Sequence, residues 1–399
     1  MKQMNNCVLT INGGSSSIKI ALYEVGNTLK QLVKGEMENI GMEGTKFTFT
    51  NDVSNRKHNV KIEDSDHTAA LEFLIAWLGK LDGFTSIKAI GHRIVFGMHH
   101  TKPTVLTTEL LKELKEISAY DPDHLPEEIK LVVAFQKYYP KMVQVACFDT
   151  SFHTTMPQVA KSIAIPRRFT DKGIQRYGFH GLSYAYLVQQ LYLEEWNQTS
   201  RDRVILAHLG SGASLAAVKN GKSIDTSMGF SPSAGIPMGT RTGDMDPGVA
   251  WYLMTAKKLT PSQFNHMVNH ESGLLGISET SSDMRELLKS QKTDKRAAEA
   301  VELFCYETKK RIGSFAAVLG GLDTLVFSGG IGERSSEIRT RVCQGLHFLG
   351  IELDEEKNSK NETVISSNSS LVNVLMIPTN EELMIATSVC KILKYHIKH

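Results

Sequence analysis

Two phrases of this sequence, about half its length apart, share one plan. Residues 7–11 and 18–23 are short runs of β-type residues flanking Asn12-Gly13-Gly14-Ser15-Ser16-Ser17, so the chain opens as a strand, a glycine turn and a returning strand. Residues 204–209 and 214–218 repeat that plan around Gly210-Ser211-Gly212, and Asn220-Gly221 supplies the next turn. A length of 399 residues exceeds what one hydrophobic core usually sustains, so the repeat reads as two similar lobes. Amphipathic helices lie between these landmarks. Leu71, Leu74, Ile75 and Leu78 share one helical face, as do Val301, Phe304, Cys305, Thr308, Ile312, Phe315 and Leu319, with a stop at Gly320-Gly321. Pro126 opens another helix at its first position and Pro140 closes it. Apolar runs at 143–148 and 323–327 follow helical segments, which makes the chain an α/β protein. The expected organisation is an N-terminal lobe of residues 1–150 plus 386–399 and a C-terminal lobe of residues 151–385, with ligands in a central cleft. The polar stretch 41–66 reads as a surface excursion without chemistry.

Charge and cysteine usage narrow the class. Lys+Arg of 45 against Asp+Glu of 43 is too balanced for a nucleic-acid binder or a membrane-surface protein, which leaves a small molecule as the partner. Cys7, Cys147, Cys305, Cys343 and Cys390 are scattered and odd in number, which argues against a disulfide framework or a zinc site. The first residues lack the apolar stretch of a secretory signal and no run approaches the roughly 20 residues needed to span a bilayer. The expectation is a soluble, cytoplasmic protein.

Three glycine-rich turns follow apolar strands, at 12–17, at 210–212 and at Gly329-Gly330-Ile331-Gly332. Each brings backbone N–H groups close to an anion such as phosphate, since glycine has no Cβ in the way. Asn220-Gly221-Lys222-Ser223 mimics the end of a P-loop, but Ala216 stands where the required glycine belongs, so Lys222 reads as a solvated hairpin residue. The dinucleotide fingerprint also fails, because Gly212 is followed by Ala213-Ser214-Leu215.

Several polar residues stand where an α/β fold presents ligands. Arg241, flanked by glycines and hydroxyls in the stretch 238–248, suits a bidentate grip on an anion; a surface salt bridge is the alternative. Arg93 sits among apolar residues and needs an anionic partner, for which a substrate is a candidate. Asp149 directly follows an apolar strand, either to face a ligand or metal or to cap a turn. His180 is bracketed by glycines and aromatics. In the C-terminal segment Thr379 and Glu382 have capping-box spacing, which leaves Glu381 free to hold a magnesium-bound water.

With these residues assembled, the chain resembles the acetate kinase family from about Val8 to about Ala386. The phrases that carry the resemblance are NGGSSSIK at 12–19, FDTSFH at 148–153, YGFHG at 177–181, DTSMG at 225–229, MGTRTGDMDP at 238–247 and PTNEELMIA at 378–386. The resemblance implies duplicated ribonuclease-H-like lobes of the actin-like ATPase type. It implies a cytoplasmic homodimer that acts on acetate with ATP or ADP as co-substrate and Mg²⁺ as the metal, with Mn²⁺ as an alternative. By motif, Asn12 and Glu381 would hold the metal. Lys19 and the backbone at 15–17 would approach the phosphates. Arg93 and Arg241 would hold the carboxylate and the moving phosphoryl group, Asp149 would be the essential carboxylate and His180 would steady transferring charge. Nucleotide would lie against His208, Leu209, Gly210, Ser211 and Gly212, against Asp283, Met284 and Arg285, and against Gly330, Ile331, Gly332, Glu333 and Arg334. Val95, Ala119, Phe179 and Pro232 would line the methyl pocket.

This sequence departs from the family pattern at three places. Ser211 stands for a usual asparagine, Arg334 likewise, and Tyr120 for an active-site histidine, which keeps a hydrogen-bond donor but loses the titratable imidazole. These changes bear on donor preference and rate rather than on reaction class. Ala119 replaces a usual leucine, so a propionate or butyrate kinase is the nearest rival, with one methylene worth only about 1–3 kcal/mol. A non-catalytic actin- or Hsp70-like regulator is the rival from another class. Arg93, Asp149, His180 and Arg241 weigh against it, because a mere nucleotide binder has no use for paired arginines at a second anion.

Overall fold

Cys7–Gly13 (β1) is buried at every position, as a strand covered on both faces must be. It starts the first of two sheets in the computed structural model, which describes residues 6–14, 17–41, 44–51, 57–62, 67–81, 84–193 and 202–397. β1 is followed by Ile18–Val25 (β2), Leu29–Glu38 (β3), Lys46–Asn51 (β4), Lys57–Lys61 (β5), Ile87–Ile94 (β6), Thr104–Val105 (β7) and Val143–Phe148 (β8). Their spatial order is β5-β4-β3-β2-β1-β6-β8-β7. The second sheet holds Arg203–Leu209 (β9), Ala213–Lys219 (β10), Lys222–Thr226 (β11), Thr324–Ser328 (β12) and Asn373–Met376 (β13), in the order β11-β10-β9-β12-β13.

The duplication is visible in these orders. β3-β2-β1 is an antiparallel meander and β1, β6 and β8 run parallel. β11-β10-β9 repeats the meander and β9, β12 and β13 repeat the parallel half. Asn220 and Gly221 both have positive φ, 50° and 73°, the backbone of a two-residue hairpin turn, and Lys222 after them is exposed. The polar excursion contributes β4 and β5 to the first sheet's edge, with part of it outside the described residues.

The chain divides into two compact units, Met1–Ser151 with Asn380–His399, and Phe152–Thr379. In the first unit, Leu74, Ile75 and Leu78 of the helix His67–Leu78 join Leu9, Ile11, Ile20, Phe47 and Phe135 in one apolar cluster. The helix Glu381–Ile392 packs on β1 and β6. Gly91 of β6 permits that approach, since a Cβ there would fall 2.4 Å from Ile385 Cγ2 and 2.7 Å from Val389 Cγ2. In the second unit the expected face of the helix Lys295–Leu319 is buried from Val301 to Leu319, and Gly320 ends it in the left-handed conformation at φ 74°.

Three local expectations fail. Residues Gly329–Arg334 form a short helix rather than a turn, entered through Gly329 at φ 75°. The cap of Glu381–Ile392 is Asn380, whose side chain accepts from the Leu383 N–H, so the Thr379–Glu382 capping box does not form. Asn380 starts the helix one residue later and satisfies the Leu383 N–H, the third-position donor of its own register, rather than the Glu382 N–H that Thr379 would have capped. Pro126 is the second residue of the helix Leu125–Tyr138 rather than the first. All five cysteines are free and buried, and burial pushes the Cys147, Cys305 and Cys343 thiols up to about 12.

Candidate active site

The first unit builds a chain of buried and partly buried charges. Arg93, near the end of β6, donates from Nε (3.0 Å) and Nη2 (2.6 Å) to Asp149 Oδ2, the residue just beyond β8. Asp149 is therefore the anion that Arg93 requires in this sequence. The parallel pairing of β6 with β8 sets Arg93 opposite Cys147 and delivers both side chains to the same strand ends. Arg93 Nη1 also donates to Asn12 Oδ1 at 3.3 Å. Asn12 Nδ2 in turn donates to Glu381 Oε2 at 2.8 Å and to Glu382 Oε1 at 3.3 Å. Burial works against the Arg93 charge, but Asp149, then Glu381 and Glu128, hold its proton more tightly than usual. Lys19 behaves alike: burial opposes its charge and Glu381, Glu382 and Glu36 more than restore it. Ser15 and Ser16, expected near phosphate, lie outside the described residues.

Two carboxylates here were not assigned to the site from sequence. Glu382 is drawn into the Asn12 network instead of a cap. Glu128 is buried beside Arg93, and both its oxygens accept from the Val95 N–H, at 3.2 and 3.0 Å. Burial, reinforced by Asp121, raises the Glu128 carboxyl well above the ordinary range despite Arg93. A sequence signal for Glu128 existed. It falls on the apolar face Leu125, Ile129, Val132 and Phe135 of its helix, all buried. Val95 itself is buried, and Tyr120 stacks on Phe96 with ring centroids 5.9 Å apart.

The second unit gathers side-chain donors around the Gly210-Ser211-Gly212 turn. A Cβ built on Gly212 would lie 3.3 Å from His180 Nε2 and 3.8 Å from Arg241 Nη1; one on Gly210 would lie 3.9 Å from His208 Nε2 and 3.8 Å from the Gly330 N. The Ser211 carbonyl accepts from Gly239 N at 2.9 Å, which ties the turn to the loop that carries Arg241. Arg241 Nη1 donates to the Pro232 carbonyl at 3.3 Å. His180 adopts φ 57°, a strained backbone for a residue with a Cβ, immediately before the helix Gly181–Leu193. The imidazoles of His180 and His208 lie 4.4 Å apart. The Phe179 carbonyl is fixed by His153 Nε2 at 2.9 Å, and burial pushes His153 down to about 4.

Other expected nucleotide contacts are spent internally. Asp283 caps the helix Met284–Ser290 and binds the guanidinium of Arg285, while Met284 is buried. Glu333 Oε1 accepts from the Gly329 and Thr379 N–H groups at 3.0 and 3.1 Å. Gly330 and Arg334 are exposed, Ile331 is half-buried and Gly332 buried. Leu209 is a buried residue of β9.

Residues 7–387 match the sequence profile of the acetokinase family. The chain belongs to that family. An acetate kinase of Methylocella silvestris is 42% identical over 96% of this chain and 97% of its own length. A solved propionate kinase from Francisella tularensis superposes with a TM-score of 0.88 at 38% identity, over 96% of this chain and 98% of that one. An acetate kinase from Porphyromonas gingivalis gives 0.85 at 38% identity, over 97% and 100%. The acetokinase chain is therefore an enzyme of the actin-like ATPase fold, a kinase with a carboxylate acceptor and a nucleotide co-substrate. Among the described residues no helix is long and apolar enough to cross a membrane.

Proposed function

We propose that this acetokinase transfers the γ-phosphoryl of ATP directly to acetate, reversibly, giving acetyl phosphate and ADP. The observation that carries the reading is the Arg93–Asp149 pair joined through Asn12 to Glu381. A carboxylate is already a nucleophile, so the obstacle is repulsion between two anions. Arg93 spends three of its five N–H groups on Asp149 and Asn12. One on Nη1 and one on Nη2 are left for a substrate carboxylate. Buried Asp149 keeps the guanidinium oriented before the acid arrives, so no reorganisation is needed during transfer. In the second unit, Arg241 and the Nε2 atoms of His180 and His208 meet the turn whose backbone suits phosphate oxygens.

Asn12, Glu381 and Glu382 offer hard oxygen donors, which suits Mg²⁺ or Mn²⁺. The described residues contain no group of three or more His, Cys, Asp or Glu that encloses a metal, so phosphates and water would complete its shell. When bound, the cation would supply positive charge against the repulsion between the phosphoryl group and the carboxylate. Lys19, kept charged by the same glutamates, adds to it. Assembly as a homodimer, a cytoplasmic location and the two-lobe boundaries given above belong to the same reading.

Propionate is the second reading, favoured by Ala119 in place of leucine and by the resemblance to the Francisella tularensis enzyme. One assay tests both: hydroxylamine trapping of acyl phosphate with acetate, propionate and butyrate, against ATP, GTP and pyrophosphate with Mg²⁺. Acetate with ATP is expected to give the highest kcat/KM. Absence of trapped product with every acid would sink the proposal, and a propionate optimum would replace acetate.

A further inference from the structure

Both histidines at the glycine turn are backed by hydroxyl chains. His180 Nδ1 lies 2.8 Å from Ser214 Oγ, and Ser214 Oγ lies 2.5 Å from the Tyr184 hydroxyl. Ser214 and Tyr184 are fully buried. His208 Nδ1 lies 2.8 Å from Ser183 Oγ, which accepts from Thr379 Oγ1 at 2.8 Å. β9 and β10 pair His208 directly with Ser214. The two chains thus serve adjacent imidazoles, and each leaves the opposite nitrogen, Nε2, at the turn.

A serine hydroxyl has one proton. A phenol is the stronger acid of the Tyr184–Ser214 pair, so Tyr184 donates and Ser214 turns its own proton to His180 Nδ1. Thr379 donates to Ser183, so Ser183 likewise turns its proton to His208 Nδ1. An imidazole that accepts at Nδ1 is neutral with its proton on Nε2. We propose that the relays Tyr184–Ser214 and Thr379–Ser183 fix His180 and His208 as Nε2–H tautomers, so that two adjacent neutral rings present N–H donors to the phosphate turn. Neutrality has a reason here. Two imidazolium rings 4.4 Å apart would repel each other, whereas two neutral donors coexist and still stabilise charge on a phosphoryl oxygen. Ser214, Tyr184, Ser183 and Thr379 are positioning residues: they act through the rings. The inference deepens the proposed function and rests on its placement of phosphate at this turn.

Its test reads the tautomer separately from turnover. Full-length protein labelled with ¹⁵N-histidine is examined by long-range ¹H–¹⁵N correlation at about pH 8, where an ordinary imidazole is neutral, with His180→Asn and His208→Asn to assign the two rings. Both are expected to show a protonated Nε2 and a bare Nδ1. Ser214→Ala should abolish the single-tautomer pattern of His180 and leave that of His208. Ser214→Thr, which keeps the hydroxyl, should restore it. In Ser214→Ala kcat should fall about 10–100-fold, the usual loss when an imidazole's orienting partner is removed, with KM for acetate little changed. Should Ser214→Ala not fold, Tyr184→Phe removes only the hydroxyl and retains the ring packed on Phe152 and His153. A proton on Nδ1 of either wild-type ring, or a His180 pattern indifferent to both substitutions, would overturn the proposal. Loss of the tautomer with kcat intact would leave the relay standing and remove His180 from phosphoryl transfer.

Discussion

Each unit holds an arginine within its polar cluster, Arg93 partly buried and Arg339 fully buried, and the two are held in opposite ways. Arg93 in the first unit has a carboxylate, Asp149, and keeps two N–H groups in hand. Arg339 in the second is completely buried and spends all five on neutral acceptors: Asn358 Oδ1, the carbonyls of Gly332, Glu333 and Asn358, and Asn361 Oδ1. The charges respond accordingly. Burial pulls Arg339 down to about 10, while Asp149 and Glu381 carry Arg93 the other way in spite of its burial. An arginine with a counter-ion and spare donors is equipped to meet a ligand. One whose donors are exhausted is a brace, and Arg339 braces the end of the helix Gly329–Arg334 through the Gly332 and Glu333 carbonyls. The first unit's cluster is held by ion pairs, whereas the second sets Arg241 among hydroxyls and imidazoles, although the strand order β3-β2-β1-β6-β8 of the first sheet repeats as β11-β10-β9-β12-β13 in the second.

The contrast breaks or holds on paired substitutions. Arg93→Ala should cost about 2.7–4 kcal/mol of transition-state stabilisation, a hundred- to thousandfold in kcat. Arg339→Ala should act mainly on stability, since each buried acceptor left without a donor costs about 1–3 kcal/mol. Urea unfolding and steady-state kinetics on both variants separate the two roles. If Arg339→Ala loses more turnover than Arg93→Ala while remaining folded, the division into gripping and bracing arginines is wrong.

A smaller effect sharpens the ionic half. Gly91→Ala pushes a methyl into Ile385 and Val389, on the helix whose first turn carries Glu381 and Glu382. Overpacking of this kind costs about 1–3 kcal/mol, and the apparent Mg²⁺ requirement should rise as the carboxylates shift. An unchanged Mg²⁺ titration in a folded, destabilised variant would detach that helix from metal binding.

The smallest effect concerns pH. Glu128 has its carboxyl raised by burial and by Asp121, against Arg93. Below the ordinary carboxyl range both folded and unfolded chains hold the proton. As pH rises the unfolded chain ionises first, so the stability this group contributes is full at low pH and is lost as pH climbs towards its folded value. Glu128→Gln keeps an acceptor for Val95 and cannot ionise. Its unfolding free energy relative to the wild type should improve as pH rises above the ordinary glutamate range; a constant difference would show that Glu128 is ionised in the folded protein.

Much of the fold and some of the site could be read from local pattern. The repeated strand, turn and strand, the helix ending at Gly320 and the positions of Arg93, Asp149 and His180 at strand and helix ends are all written in spacing, because backbone sterics and apolar periodicity act over a few residues. Glu128 was legible too, as an acid on an apolar face. What spacing left open is who meets whom. Asn380 displaced Thr379 as cap and freed Glu382 for Asn12, a partner 370 residues away. Ser183 and Ser214 became orienting groups for histidines 25 and 34 residues distant. Strand order decided these meetings, since the side chains that share a strand end or a helix start are fixed by sheet register rather than by separation along the chain, and a hydrogen bond forms only over about 3 Å.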